Sequence, residues 1–82
     1  MDAAEIMKEL LETIAKSLVE NPDEVRVKPT VNDRTIILEL NVAKEDMGRV
    51  IGKQGRIANA IRTVMKAQAI KLDKRVIVEI VE

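Results

Sequence analysis

The fold of this chain is decided by one stretch, Val50-Ile51-Gly52-Lys53-Gln54-Gly55-Arg56-Ile57. Its two glycines lie between two segments with helical periodicity, and glycine tolerates the dihedral angles of a tight turn and lets another backbone approach closely. The helix predicted to begin near Arg56 directs its unpaired N–H groups and the positive end of its dipole at this turn. An anion lying there would find donors already oriented, and Lys53 and Arg56 would add positive charge.

The residues at the start of the chain predict an amphipathic helix. Between residues 2 and 20, apolar side chains recur every three or four positions, as one buried helix face requires. Asp2 followed by Glu5 resembles a capping box, and Asn21-Pro22 predicts the end of the helix.

Two strands are predicted next. Residues 25–31 and 34–42 alternate apolar and polar side chains, which is typical of half-buried strands, and Asn32-Asp33 is the predicted turn between them. Pro29 has no N–H to donate, so we expect its amide position to face no neighbouring strand.

Beyond the second strand the period becomes helical again and then alternating. Residues 44–51 predict a short helix, residues 56–71 a longer one and residues 75–81 a closing strand. The inward face of the longer helix is predicted to carry Ile57, Ile61, Val64 and Met65. The element order is therefore α-β-β-α-α-β, an α+β fold in which helices cover one face of a three-stranded sheet.

The net charge is zero at pH 7, but the charges are unevenly distributed. Residues 1–43 carry five basic and nine acidic side chains, whereas residues 44–82 carry nine basic and five acidic ones. Between Arg49 and Arg75 there are eight Lys or Arg residues and one acid, Asp73. A one-sided field of this kind favours a polyanionic partner, although a solvated helix face would show the same pattern.

An enzyme is not expected from this set of residues. The chain has no His and no Cys, and its single serine, Ser17, lies inside the first predicted helix, so nucleophile–base pairs and imidazole metal sites cannot form. A nucleotide-binding P-loop is excluded by spacing, because Gly48 and Gly52 enclose three residues instead of four. No cofactor is predicted.

The central stretch resembles the Ile-Gly-x-x-Gly signature of KH domains. In that family the loop clamps about four nucleotides of a single strand by their backbone. The element order is similar to the type II KH arrangement, which places a helix and a strand before the core. Residues 1–82 as a whole resemble a single KH domain of the bacterial RNA-binding proteins of the KhpA kind.

This resemblance implies an RNA-binding site formed by Arg49, Val50, Gly52, Lys53, Gln54, Gly55, Arg56 and Ile57. Because the chain contains no aromatic residue, bases would lie on an aliphatic floor instead of stacking on rings. The candidates for that floor are Val50, Ile57, Ile61, Val76 and Val78, although ordinary core packing would explain each of them as well. Ala58 stands where many KH domains carry a bulky aliphatic side chain, which leaves the depth of the groove open.

The function expected from the resemblance is single-stranded RNA binding, by an RNA chaperone or a post-transcriptional regulator. The alternative is a protein-interaction module with a KH fold and little RNA binding, using the face of the longer helix that carries Arg62, Lys66 and Ile70. The resemblance implies a homodimer, a heterodimer with a larger Jag-type KH protein, or both. Acidic residues near the start and the absence of apolar runs longer than three residues predict a cytoplasmic protein.

Overall fold

The computed structural model describes residues 1–81 and confirms the predicted order of helices and strands. The elements are α1 (Ala3–Leu18), β1 (Arg26–Asn32), β2 (Thr35–Asn41), α2 (Met47–Ile51), α3 (Arg56–Lys71) and β3 (Arg75–Val81). Single 3-10 turns at Pro22–Glu24, Lys44–Asp46 and Lys53–Gly55 connect them. Asp2 caps α1 as predicted, since its carboxylate accepts a hydrogen bond of 2.9 Å from the backbone N–H of Glu5.

The three strands form one mixed sheet in the order β1-β2-β3. β1 is antiparallel to β2, with Asn32 opposite Thr35, and β2 is parallel to β3, with Thr35 opposite Arg75. The crossover that a parallel pair needs is provided by α2 and α3. Because β1 is an edge strand, the missing N–H of Pro29 costs the sheet little.

The core lies between one face of the sheet and the helices. The central strand β2 buries Ile36, Leu38 and Leu40, and the helices α1 and α3 cover them with Met7, Leu11, Ala15, Ile61, Met65 and Ala69. The prediction of a three-stranded sheet covered on one face by helices is therefore confirmed. Within residues 1–81, no helix has both the length and the apolar character needed to span a bilayer.

Several details differ from the predictions: the hairpin turn is Asp33-Arg34 instead of Asn32-Asp33, and residues 44–46 of the predicted short helix form a 3-10 turn. Helix α1 ends at Leu18, two residues before the predicted end, and Val19 is already extended with ψ 162°. The inward face of α3 was predicted correctly at Ile61 and Met65 but not at Val64, which is 49% exposed, and Ala58 and Ala69 are the further buried residues of this helix. Each residue turns a helix by about 100°, so Val64 next to the buried Met65 falls outside the buried stripe.

Candidate nucleic-acid interface

Residues 52–55 join α2 to α3 through three positive φ values, at Gly52, Gln54 and Gly55. Gly52 ends α2 with φ +75°, and its N–H donates to the Gly48 carbonyl at 2.9 Å. Gln54 and Gly55 follow with φ +56° and +76°, and the Gly55 N–H donates to the Gly52 carbonyl at 3.2 Å. The turn is therefore fixed by its own backbone, and α3 begins immediately after it at Arg56.

The two glycines of this loop have different roles. A Cβ atom on Gly52 would lie 2.5 Å from Cγ1 and 2.9 Å from the backbone nitrogen of Ile57, so no side chain fits there. A Cβ atom on Gly55 would meet no heavy atom closer than Asn59 Nδ2, at 4.0 Å. Gly52 is therefore required for the close contact between the loop and α3, whereas Gly55 leaves the outer surface of the loop open.

Three polar side chains project from this loop into solvent. Lys53, Gln54 and Arg56 are all exposed, and they stand at the N-terminal end of the 16-residue helix α3. Among residues 1–81, neither Lys53 nor Arg56 forms an ion pair with a carboxylate. An anion at this place is thus favoured by the two cations, by the first-turn N–H groups of α3 and by the dipole of this helix.

Arg49, which the sequence also assigned to the site, is turned towards the end of α1. Its Nη2 pairs with the Glu20 carboxylate, and its Nε lies 3.6 Å from Asp46 Oδ1. The structure therefore brings Lys53, Gln54 and Arg56 together on the loop and places the Arg49 guanidinium between two acids.

Asp46, the residue just before α2, is a part of this region that the sequence analysis missed. Its carboxylate is 1% exposed and accepts hydrogen bonds from the backbone N–H groups of Glu20 and Asn21, both at 3.1 Å, and from Asn21 Nδ2 at 3.0 Å. Burial alone raises the pKa of Asp46, but these hydrogen bonds and the Arg49 guanidinium outweigh it and hold the pKa below its usual range. The sequence signal for Asp46 was an acidic residue at the N-terminus of α2, but the residues that donate hydrogen bonds to it lie about 25 positions earlier in the sequence.

The predicted aliphatic floor is divided between the core and the surface. Val50 is completely buried, and Ile61 and Val78 are nearly so. Ile57 and Val76 are partly exposed, and Ala58 is buried beneath the first turn of α3. Val50 therefore anchors α2 in the core, whereas Ile57 presents apolar surface directly beside the loop.

Next to the loop, α1 and α3 enclose a shallow groove of about 510 Å³. The residues lining it are apolar apart from Arg56, and they include Leu10, Ile14, Leu18, Ile57, Ala60 and Val64. The half-exposed Val64 is thus part of a continuous apolar surface beside the loop.

Comparison with known families identifies the arrangement. The sequence model of the KhpA/KhpB KH domain matches residues 8–80. The chain is 69% identical over 75 residues to the "RNA-binding protein KhpA" of Clostridium acetobutylicum, covering 92% of this chain and 100% of that protein. The proteins of the same name from Listeria monocytogenes and Aquifex aeolicus are 51% and 47% identical over 76 residues, which is 93% of this chain and 100% and 96% of theirs.

Among solved structures, the chain resembles part of Era, crystallised in complex with MgGDPNP and a segment of 16S ribosomal RNA. The TM-score is 0.64 at 22% identity, and the match covers 92% of this chain but 29% of that one. At this identity the likeness supports the fold alone, and the fold agrees with the KH arrangement predicted from the element order.

Proposed function

The chain belongs to the KhpA/KhpB KH-domain family, and we propose that it binds single-stranded RNA by holding the phosphate backbone against residues 52–55. The relatives matched over their whole length carry the name RNA-binding protein KhpA, which supports this proposal over a purely structural role for the loop. In this proposal residues 1–82 act as one KH domain in an RNA chaperone or post-transcriptional regulator.

The observation that carries the proposal is the open, cationic outer surface of the loop. Lys53 and Arg56 have no acidic partner among residues 1–81, and the space above Gly55 is empty. A phosphate there would accept hydrogen bonds from N–H groups already oriented by the first turn of α3. Gln54 would add a polar contact, and Ile57 would place an aliphatic surface under the neighbouring base. Val50 would position the loop from the core, and Arg49 would join the contact once its guanidinium turns away from Glu20 and Asp46.

The test is a fluorescence-anisotropy titration of labelled single-stranded RNA pools with the native chain and the double variant Lys53→Asp, Gln54→Asp. These substitutions place negative charge where the phosphate would lie and leave both glycines unchanged, so binding should be lost while the far-UV circular dichroism spectrum is retained. The matched control is Lys28→Asp, Asn32→Asp, which makes the same charge change at exposed positions on β1. Equal loss in both variants, or no loss in either, would contradict the loop as the binding site.

The salt dependence of the RNA-binding constant tests the same proposal independently. If the loop neutralises roughly two or three phosphates, log K should fall against log salt with a slope of about −1.4 to −2. Double-stranded RNA should bind more weakly, because its bases are not free to reach the surface beside Ile57. A slope of zero would contradict a phosphate contact of any kind.

For the partner protein, we propose that the apolar α1–α3 groove around Val64, beyond the end at Arg56 and Ile57 that would contact RNA, mediates self-association with a second copy of this chain. In a two-fold dimer the same patch faces itself, so a cationic face would repel its copy while an apolar one would not. The groove has Arg56 at one end and apolar side chains along the rest of its described lining. This is a different face of α3 from the one expected from the sequence.

The test is the molar mass in solution, measured by sedimentation for the native chain, Val64→Glu and Ile77→Glu. Val64 and Ile77 are equally exposed, at 49%, but Val64 lines the groove and Ile77 does not. We expect a dimer for the native chain and Ile77→Glu, and a monomer for Val64→Glu. A monomeric native chain would contradict self-association and leave this face to a different protein, such as a Jag-type KH partner.

A further inference from the structure

Asp46 is the one charged or polar side chain that is buried within residues 1–81, and it lies directly before α2. Its Oδ1 accepts a hydrogen bond from the Glu20 N–H at 3.1 Å. Its Oδ2 accepts from the Asn21 N–H at 3.1 Å and from Asn21 Nδ2 at 3.0 Å. All three donors belong to the segment that follows α1. A single carboxylate therefore holds the start of α2 to the end of α1.

The helix α2 depends on such contacts for its position because it is short. It has five residues, whereas an isolated helix of fewer than about 12 residues is marginal in water. Val50 is its one buried residue, and it lies four positions after Asp46, so the two side chains share one face of the helix. Asp46 and Val50 are thus a polar and an apolar anchor on the same side of α2.

The position of α2 in turn sets the position of residues 52–55. Gly52 ends α2, and its N–H donates to the Gly48 carbonyl at 2.9 Å. On the side of α3, the close contact between Gly52 and Ile57 fixes the loop. On the side of α2, the loop depends on the anchors Asp46 and Val50.

An amide cannot replace the carboxylate of Asp46. A carboxylate accepts hydrogen bonds on both oxygens, and each oxygen of Asp46 has at least one N–H donor. Asparagine in either orientation would turn its own NH2 group towards one of these donors and leave buried N–H groups unpaired. The substitution Asp46→Asn therefore breaks the anchor while keeping the size of the side chain.

We propose that Asp46 is a positioning residue for RNA binding, which fixes α2 so that residues 52–55 hold their N–H groups and Lys53 in the arrangement that accepts a phosphate. This inference rests on the proposed RNA-binding function. Six residues at 1.5 Å each place Asp46 about 9 Å from Gly52 along the helix, so its charge also repels a phosphate weakly. Removing the charge therefore has opposite consequences: relief of repulsion would raise the RNA affinity, whereas loss of positioning would lower it.

The experiment measures the anisotropy of labelled single-stranded RNA pools in an Arg49→Gln background, because removal of Asp46 would otherwise also release the Arg49 guanidinium. Asp46→Asn is compared with Glu45→Gln, which removes the neighbouring exposed carboxylate. The apparent Kd rises as the fraction of molecules with the loop in the binding arrangement falls, and we expect Asp46→Asn to weaken binding about three- to tenfold. The salt slope should stay the same because the same phosphates are contacted. Glu45→Gln should bind RNA as tightly as the parent or slightly more tightly.

Two further measurements distinguish positioning from a general loss of stability. In Asp46→Asn, hydrogen exchange should accelerate at the Gly52 N–H relative to the amides of the central strand β2, because α2 can open without global unfolding. Ile36→Val, in the core at the start of β2, should lower the urea midpoint without weakening RNA binding. If Asp46→Asn does not fold, Asn21→Ala takes its place, since it removes one of the three hydrogen bonds, keeps the charge and should lower the RNA affinity in the same direction.

The outcomes separate this inference from the proposed function. If Asp46→Asn binds RNA as tightly as its parent or more tightly, while Lys53→Asp, Gln54→Asp loses binding, the positioning role is wrong and RNA binding at the loop stands. Equal losses of affinity in Asp46→Asn and in Ile36→Val would likewise overturn the positioning role in favour of a general effect on stability. If Lys53→Asp, Gln54→Asp leaves RNA binding intact, the loop proposal is wrong, and the positioning role falls with it.

Discussion

Replacing Gly52 with alanine should destabilise the fold much more than replacing Gly55, although both glycines have left-handed φ values. Gly52 has φ +75° and ψ 176°, a region that is essentially restricted to glycine, so alanine there costs about 1–3 kcal/mol in backbone strain. Its Cβ would also lie within 2.9 Å of three Ile57 atoms, one of them a backbone nitrogen, and such overpacking costs about 1–3 kcal/mol more. Gly55, at φ +76° and ψ 13° in open space, should cost about 1–2 kcal/mol.

The assay is urea unfolding followed by far-UV circular dichroism, since a chain without aromatic residues has no intrinsic fluorophore. A domain of 82 residues has a free energy of unfolding of about 4–12 kcal/mol, so a loss of about 2–6 kcal/mol at Gly52 would be evident in the midpoint. In an Ile57→Ala background the cost of Gly52→Ala should fall but not vanish, because that change removes Cγ1 and leaves Cβ and the backbone nitrogen in place. A cost of Gly52→Ala no larger than that of Gly55→Ala would show that the close contact with Ile57 does not require glycine at position 52.

Two further predictions concern the acidic residues beside the loop. Glu20→Gln should raise RNA affinity about twofold at low salt, because it removes one of the two acidic partners of Arg49, an exposed ion pair of about 0.5 kcal/mol, and leaves only Asp46 beside the guanidinium. Asp23→Asn should give no such gain, and equal gains from the two variants in anisotropy titrations would assign the effect to net charge alone. Because the pKa of Asp46 is lowered in the folded protein, its ionised carboxylate stabilises the fold. This contribution to the free energy of unfolding is complete above the ordinary aspartate pKa of about 3.9, and it is lost as the pH falls through the lower pKa of Asp46 in the folded protein. Urea midpoints measured on acidification should therefore fall less for Asp46→Asn than for the native chain, and parallel curves would contradict this role.

The parts of the fold that local sequence determines were predicted closely. The bounds of α3 and β3 agree with the predicted 56–71 and 75–81, because Gly55 and the turn after Lys71 interrupt the helical period on either side. The end of α1 was predicted less well, since Val19 continues the apolar pattern although its backbone is extended. The chain leaves the helix there because the backbone N–H groups of Glu20 and Asn21 bind Asp46, a contact that no local pattern reveals.

In the candidate site, too, local sequence predicted some features, and contacts between distant residues determine the others. The loop conformation followed from two glycines and a helix start, and the structure has both. The pairing of Arg49 with Glu20 joins residues 29 positions apart, so the periodicity that placed Arg49 one turn before the loop could not show which way its side chain points. The complete burial of Val50 likewise depends on how α2 packs, which its own five residues do not determine.

The zero net charge is consistent with a polyanionic partner once the charges are placed on the fold. The acidic excess of residues 1–43 lies mainly on α1 and on the segment between α1 and β1, whereas the basic run after Arg49 lies on the loop, α3 and the start of β3. An approaching RNA strand would therefore be attracted to the loop, α3 and the start of β3 and repelled from the acidic segment between α1 and β1. Such a dipole orients the encounter within about a Debye length, 8 Å at physiological salt, without the non-specific attraction that a uniformly basic surface would create. The rate of association with RNA should accordingly fall with salt even though the chain as a whole is neutral.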